Sequence, residues 1–193
     1  MAVESTLTLA SLPRFGVPNR GTQIVPRRKN FASGTAVAYN PGMDPFLQAA
    51  IDEAQKGLSE GGLPIGSVLV RNGQIIGRGH NRRVQHGDPM AHAEIDCLKN
   101  AGRQATYKDT VLYSTLMPCF LCTGAAVQFG VPKVIVGESV TFPGGESKWG
   151  KSGDFMRAAG IEVIDLHDET CIAMMRKFIA ENPALWNEDI GVD

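Results

Sequence analysis

From Asp44 onward, apolar residues recur at helical spacing: Phe46, Leu47, Ala50, Ile51, Ala54 and Leu58, stopping at Gly61-Gly62. With Asp44 as N-cap and Pro45 at the first helical position, this spacing predicts an amphipathic helix. Two short apolar runs follow, GSVLV at 66–70 and QIIGR at 74–78, on either side of Arg71-Asn72-Gly73. An Asn-Gly step accepts the positive φ angles of a tight hairpin, so two antiparallel strands are predicted. A polar loop, HNRRVQHGDPM, leads into a helix from near Ala91 to Gly102. TVLYST at 110–115 then reads as a buried strand, Pro118 opens a helix that runs to Gly130, and KVIVG at 133–137 is a further core strand. After a Gly-rich loop containing Phe142 and Trp149 come a short helix, the strand IEVIDL at 161–166, and a last amphipathic helix from Asp168 to Glu181. Strands alternating with helices predict an α/β fold, a three-layer α/β/α sandwich around a central mixed five-stranded sheet.

Residues 1–42 show no such period and are interrupted by Pro13, Pro18 and Pro26. They read as a disordered N-terminal extension ahead of a domain spanning 43–193. Their Arg-rich, acid-poor bias leaves an organelle transit peptide as the alternative. The whole chain of 193 residues is 43% hydrophobic and 20% charged, enough to bury a full core, and no run is long enough to span a bilayer. Its net charge is -1, yet residues 1–42 carry five basic groups against Glu4, which leaves 14 basic and 19 acidic groups in residues 43–193. A domain with that balance is a poor polyanion binder, because non-specific nucleic-acid affinity comes from Lys and Arg neutralising phosphates. A small neutral or basic substrate fits better.

The four cysteines include a C-x-x-C pair, Cys119 and Cys122, directly after Pro118. No secretory apolar segment opens the chain, so reduced thiols, metal use and a cytoplasmic location are expected. The other polar intrusion into an apolar stretch is AHAEIDCL, where His92 and Glu94 stand two positions apart. Two helical positions point about 200° apart, so at least one of the two must face inward. Two cysteines at a helix start, where the dipole favours thiolates, and one imidazole make three ligands suited to tetrahedral Zn²⁺. Three protein ligands leave the fourth position to water, which marks a catalytic ion rather than a structural one. Glu94, beside the metal without ligating it, is then the proton carrier.

H-x-E followed by P-C-x-x-C is the pattern of zinc nucleobase deaminases, and His92-Ala93-Glu94 with Pro118-Cys119-Phe120-Leu121-Cys122 completes it. From about Met43 to Asp193 the chain resembles the fungal-type cytosine deaminases of the cytidine-deaminase-like superfamily. The resemblance rests on GGLPIGSVLV, GRGHNRR, HAEI, KDTVLYSTLMPCFLCTGA, VIVGES and ENPALWNEDIG, taken in that order. It implies hydrolysis of free cytosine to uracil and ammonia in pyrimidine salvage, zinc as cofactor, a homodimer, and no nucleic-acid or membrane partner. It further implies that Asn81 hydrogen-bonds the pyrimidine, that Asp189 takes a ring N–H, that Phe142 and Trp186 enclose the base, and that Ile65 lines an apolar side. Ala93 would offer its backbone N–H.

Three positions depart from the family pattern. Ala93 stands where Gly is frequent, Phe120 where a polar residue is frequent, and Met117 where Ser is usual, which bears on substrate breadth and dimer contact. Another small amino-heterocycle (guanine, isocytosine, creatinine), a tRNA adenosine, or a zinc module without catalysis are the competing readings. His80, His86 and His167 read as loop or surface histidines, and Cys97 and Cys171 as core residues.

Overall fold

The computed structural model describes residues 44–148 and 150–192. The extension expected over 1–42, together with Trp149, lies outside the described residues. The elements in chain order are α1 Pro45–Ser59, β1 Gly66–Arg71, β2 Gln74–His80, α2 Arg83–His86, α3 Ala93–Ala101, β3 Thr110–Leu116 and α4 Phe120–Phe129. There follow β4 Lys133–Glu138, β5 Glu146–Ser147, β6 Gly150–Lys151, α5 Ser152–Ala158, β7 Glu162–Asp165, α6 Glu169–Glu181 and α7 Pro183–Ile190. Five strands form one mixed sheet in the order β2-β1-β3-β4-β7. β1 pairs antiparallel with β2 and β3, whereas β3, β4 and β7 run parallel through helical crossovers.

Side-chain alternation divides the core between the two faces of this sheet. Leu69, Leu112, Val134 and Val136 pack with Cys97 and Leu98 of α3, Ala126 of α4 and Met156 of α5. The intervening Val68, Val70 and Tyr113 pack with Leu47, Ala50 and Ile51 of α1 and Cys171 of α6. Each of these aliphatic side chains contributes about 1.5–3 kcal/mol by leaving water. The result is the α/β/α sandwich expected from the pattern. Cys97 and Cys171 are both fully buried, as their apolar surroundings suggested.

Local chemistry explains the boundaries. The Asp44 carboxylate accepts from the Phe46 N–H at 2.8 Å and Pro45 occupies the first turn, which fixes the start of α1. Asn72 and Gly73 have φ of 50° and 71°, the hairpin conformation that the Asn-Gly step predicts. Gly79 serves close packing instead, since a Cβ there would come within 2.2 Å of the Cys97 nitrogen and 2.7 Å of the Ala93 oxygen. Helix α3 therefore lies directly on the β2 backbone, and any larger residue would lift it and the Glu94 it carries.

Four details differ from the pattern reading. Leu58 is 43% exposed, because the inward position of that turn belongs to Gly57, against which the His80 ring packs. The polar loop at 80–90 supplies the end of β2 and the short α2. The Gly-rich loop contains the small β5–β6 hairpin, and α7 begins at Pro183 directly after Asn182 ends α6. Neither segment has the length or apolar period that would announce it.

Candidate active site

Topology gathers the site at one end of the sheet. Because β1 is antiparallel to both neighbours, its beginning lies beside the ends of β2 and β3: Gly66 pairs with His80, and Ser67 with Ser114. On the parallel side Leu116 pairs with Glu138. Ile65 before β1, Asn81 after β2, Cys119 after β3 and Phe142 beyond β4 consequently emerge together. They line a cavity of about 660 Å³, with His92 and Glu94 from the start of α3 and Asp189 from α7.

His92 and Cys119 are N-caps of α3 and α4, each with extended backbone, so neither lies inside the helix its motif suggested. This one-residue difference resolves the problem posed by the spacing of His92 and Glu94. A ring leaving an extended cap and a carboxylate from the first turn can both face the cavity. Cys122 sits one turn into α4 and is buried.

The donor geometry fits zinc. Tetrahedral coordination with Zn–S of about 2.3 Å and Zn–N of about 2.05 Å places two sulfurs about 3.8 Å apart and a nitrogen about 3.6 Å from each sulfur. Cys119 Sγ and Cys122 Sγ are 3.8 Å apart, and Cys119 Sγ lies 3.5 Å from His92 Nδ1. All three donor atoms lie within 4.8 Å of one another, and among the described residues they are the one such group.

The protons are distributed unevenly over this pair of thiols. Contact with the Cys122 sulfur, aided by the His92 ring and opposed by burial, lowers the Cys119 thiol to about 4. The same sulfur contact and its own burial push Cys122 well above the ordinary thiol value. A metal held by both sulfurs would therefore have to displace the Cys122 proton. Burial pulls His92 down, but its contact with the Cys119 sulfur outweighs this and raises it.

Glu94 is 4% exposed, and burial followed by the negative Cys119 sulfur raises its carboxyl above the usual carboxylate value. The Ser114 hydroxyl donates to Glu94 Oε1 at 2.9 Å from the adjoining strand. A carboxyl so held is oriented and takes up a proton more readily than a free one.

The recognition side is assembled from farther apart. Asn81, 1% exposed, donates from Nδ2 to Asp189 Oδ1 at 3.3 Å. Phe142 and Trp186 meet edge to face with ring centroids 5.7 Å apart. Trp186 and Ala93 belong to the buried cluster with Leu63, Leu116 and Phe178, so the indole backs Phe142 rather than lining the cavity. Met117 and Phe120, two of the departures from the family pattern, both line it.

Sequence reading missed four supporting residues. Ser114 is an ordinary strand serine until β3 is seen passing under Glu94. Arg83 bonds Asp189 Oδ1 at 2.7 Å, and nothing in the run Asn-Arg-Arg separates it from Arg82, which pairs instead with Asp96 at 3.0 Å. The buried Glu138 carboxylate accepts from the backbone N–H of Val140 at 2.6 Å and of Thr141 at 2.8 Å, and from the Thr141 hydroxyl, fixing the turn that leads to Phe142. His80 is the correction: it is no surface histidine but is fully buried, its Nδ1 3.0 Å from Glu53 and its Nε2 2.9 Å from Glu60. Carboxylates on and just beyond α1, far from His80 in the chain, gave no local signal. His86 and His167 are exposed as expected.

Fold, ligand set and buried carboxyl together define a zinc-dependent hydrolytic deaminase. The family profile described as the cytidine and deoxycytidylate deaminase zinc-binding region matches residues 43–138. The cytosine deaminase of Candida albicans is 45% identical over 148 residues, covering 75% of this chain and 94% of that protein. A tRNA-specific adenosine deaminase of Streptococcus pyogenes is 40% identical over 97 residues, covering 49% of this chain and 61% of that protein. Among solved structures, a guanine deaminase from Nitrosomonas europaea shares the fold at a TM-score of 0.57 and 22% identity, over 75% of this chain and 87% of that one. The chain belongs to the cytidine and deoxycytidylate deaminase family of zinc enzymes.

Proposed function

We propose that the protein converts free cytosine and water into uracil and ammonia. The observation that carries this reading is the pair Asn81 Nδ2 and Asp189 Oδ1 at 3.3 Å, an amide donor beside a carboxylate acceptor on the cavity wall. Such a pair complements the adjacent C=O and N–H of an unsubstituted pyrimidine, and a sugar on that nitrogen would remove the donor and collide with Asp189. The 45% identity to the Candida albicans cytosine deaminase supports the same substrate.

His92, Cys119 and Cys122 hold the metal. Bound there, zinc supplies Lewis acidity and brings the pKa of water from about 15.7 towards about 7. Glu94, oriented by Ser114, accepts a proton from the attacking water and passes it to the ring nitrogen, then takes the second proton of that oxygen and delivers it to the amino group, which leaves as ammonia while the carbonyl forms. Asn81 holds the ring carbonyl, Asp189 takes the ring N–H, and Phe142, backed by Trp186, and Ile65 enclose its faces. The backbone N–H of Ala93 is in the first turn of α3, where no intrahelical acceptor competes for it.

The finer readings follow from this one. Residues 43–193 form the catalytic domain, and the enzyme works in cytoplasmic pyrimidine salvage as a homodimer. Helix α4 is largely apolar and leaves Phe129 45% exposed, as expected of a helix that a second copy covers. Among the described residues no helix is long and apolar enough to cross a membrane.

Ammonia release from cytosine, isocytosine, guanine, creatinine, cytidine and a tRNA anticodon stem-loop tests the substrate. The expected result is turnover of cytosine at least about 100-fold above cytidine in kcat/KM. Preference for guanine, a nucleoside or the stem-loop would overturn the reading.

A further inference from the structure

Arg83 is not a lining residue of the cavity, yet it grips two polar residues that are, Asn81 and Asp189. Its backbone N–H donates to Asn81 Oδ1 at 3.1 Å, and its guanidinium donates to Asp189 Oδ1 at 2.7 Å. A second guanidinium nitrogen lies 3.7 Å from Glu188 on the same helix as Asp189. The two ends of the pair come from positions far apart in the chain, Asn81 after β2 and Asp189 in α7, so no local backbone geometry sets their relation.

These contacts decide which atoms face a ligand. An Asn side chain can present either its carbonyl oxygen or its NH₂ group to the cavity. With Oδ1 occupied by the Arg83 N–H, the amide offers its donor end. Asp189 is 7% exposed and has one oxygen taken by the guanidinium and by Asn81, which leaves Oδ2 as an acceptor. The guanidinium offsets the desolvation of this side chain and holds it in one orientation. Among the charged groups packed against it, Arg83 from α2 is the cation in contact, while Glu188 is its own neighbour in α7.

We infer that Arg83 is a positioning residue whose guanidinium fixes Asp189 with Oδ2 free as the acceptor beside the Asn81 donor, and thereby selects a ring with a free N–H over its N-substituted form. The inference rests on the proposed cytosine reading, and the two are separable by experiment.

The test compares kcat/KM for cytosine with that for 1-methylcytosine in the native protein and in Arg83→Met and Arg83→Lys, each checked for one zinc per chain. Arg83→Met should lower the cytosine value about 10- to 100-fold, mainly through KM, as loss of a charged hydrogen bond at a buried carboxylate predicts. The 1-methylcytosine value, which never used that acceptor, should change less than about threefold, so discrimination collapses. Arg83→Lys should restore most of the discrimination, because it returns the charge without the planar fork. A merely structural role would depress both substrates alike. An equal loss on both substrates, or unchanged discrimination in zinc-loaded Arg83→Met, overturns the inference. Should Arg83→Met fail to fold, Arg83→Gln takes its place: a loss on cytosine several-fold larger than on 1-methylcytosine supports the inference, and an equal loss on both overturns it. No turnover of cytosine by the native protein would instead contradict the proposed function.

Discussion

The cavity has a floor and a wall, and they are built on different terms. The floor consists of His92, Glu94, Cys119, Cys122 and Ser114, held at the starts of two helices and on the central strand β3. The spacings of Cys119 Sγ to Cys122 Sγ and to His92 Nδ1 lie within about 0.1 Å of what one tetrahedral ion requires, and α3 is pinned to the sheet by backbone contact at Gly79. The wall consists of Asn81, Asp189 and Phe142, drawn from the end of β2, the last helix and a loop, and braced by Trp186, Arg83, Glu138 and His80. A floor of this kind fails all at once, since each member acts on the same reacting atoms. A wall assembled from separate braces should fail by degrees, in KM and stability before kcat.

The largest effect is therefore expected on the floor. Glu94→Gln should cost about 10³- to 10⁴-fold in kcat, the worth of a positioned proton carrier, with zinc retained at one per chain by elemental analysis. Loss of zinc with activity would mean that the floor cannot be divided into metal and proton roles.

The brace at His80 comes next. Its ring joins Glu53 and Glu60, with one carboxyl group at each nitrogen. His80→Leu should lower stability by about 3 kcal/mol at pH 7 in urea unfolding, because it leaves a half-buried carboxylate without its partner. Burial pushes Glu53 up, but the His80 hydrogen bond and Lys56 bring it below its ordinary value of 4.5. A carboxylate depressed in the folded state gives stability that is full above its unfolded value and is lost as pH falls through the folded one. The gap between native protein and His80→Leu should accordingly be widest near neutrality and narrow below pH 4.5. A gap that widens in acid would contradict this arrangement.

The smallest effect concerns the aromatic pair. Phe142→Ala removes an edge-to-face contact worth about 0.5–1.5 kcal/mol beyond its area, so KM for cytosine should rise about 3- to 10-fold with kcat within about twofold. A fall in kcat comparable to that of Glu94→Gln would erase the distinction between floor and wall.

The same division governs how much the sequence discloses. The floor is legible because its chemistry is written in two short motifs, His92 to Glu94 and Pro118 to Cys122, and alternating apolar runs place both at element ends. Even there, spacing alone put His92 and Cys119 inside their helices, whereas they cap them, since a cap differs from a first-turn residue only in backbone angles. The wall is legible only by resemblance. Asn81 and Asp189 are 108 positions apart, and nothing local says they touch. Arg83, Glu138 and His80 were invisible for a related reason: each gains its role from partners contributed by another element or by a turned loop. The sheet read clearly because its periodicity is the direct cause of its burial, while α7 carries too few apolar positions to declare a face.

All of this depends on one ion bound by one nitrogen and two sulfurs with a place left open. X-ray absorption at the zinc edge of the purified protein measures that arrangement most directly. Two sulfurs at about 2.3 Å and two lighter atoms at about 2.0–2.1 Å, one of them lost as a histidine in His92→Ala, are the predicted result. A shell of three or four sulfurs, or one of oxygens alone, would contradict the account.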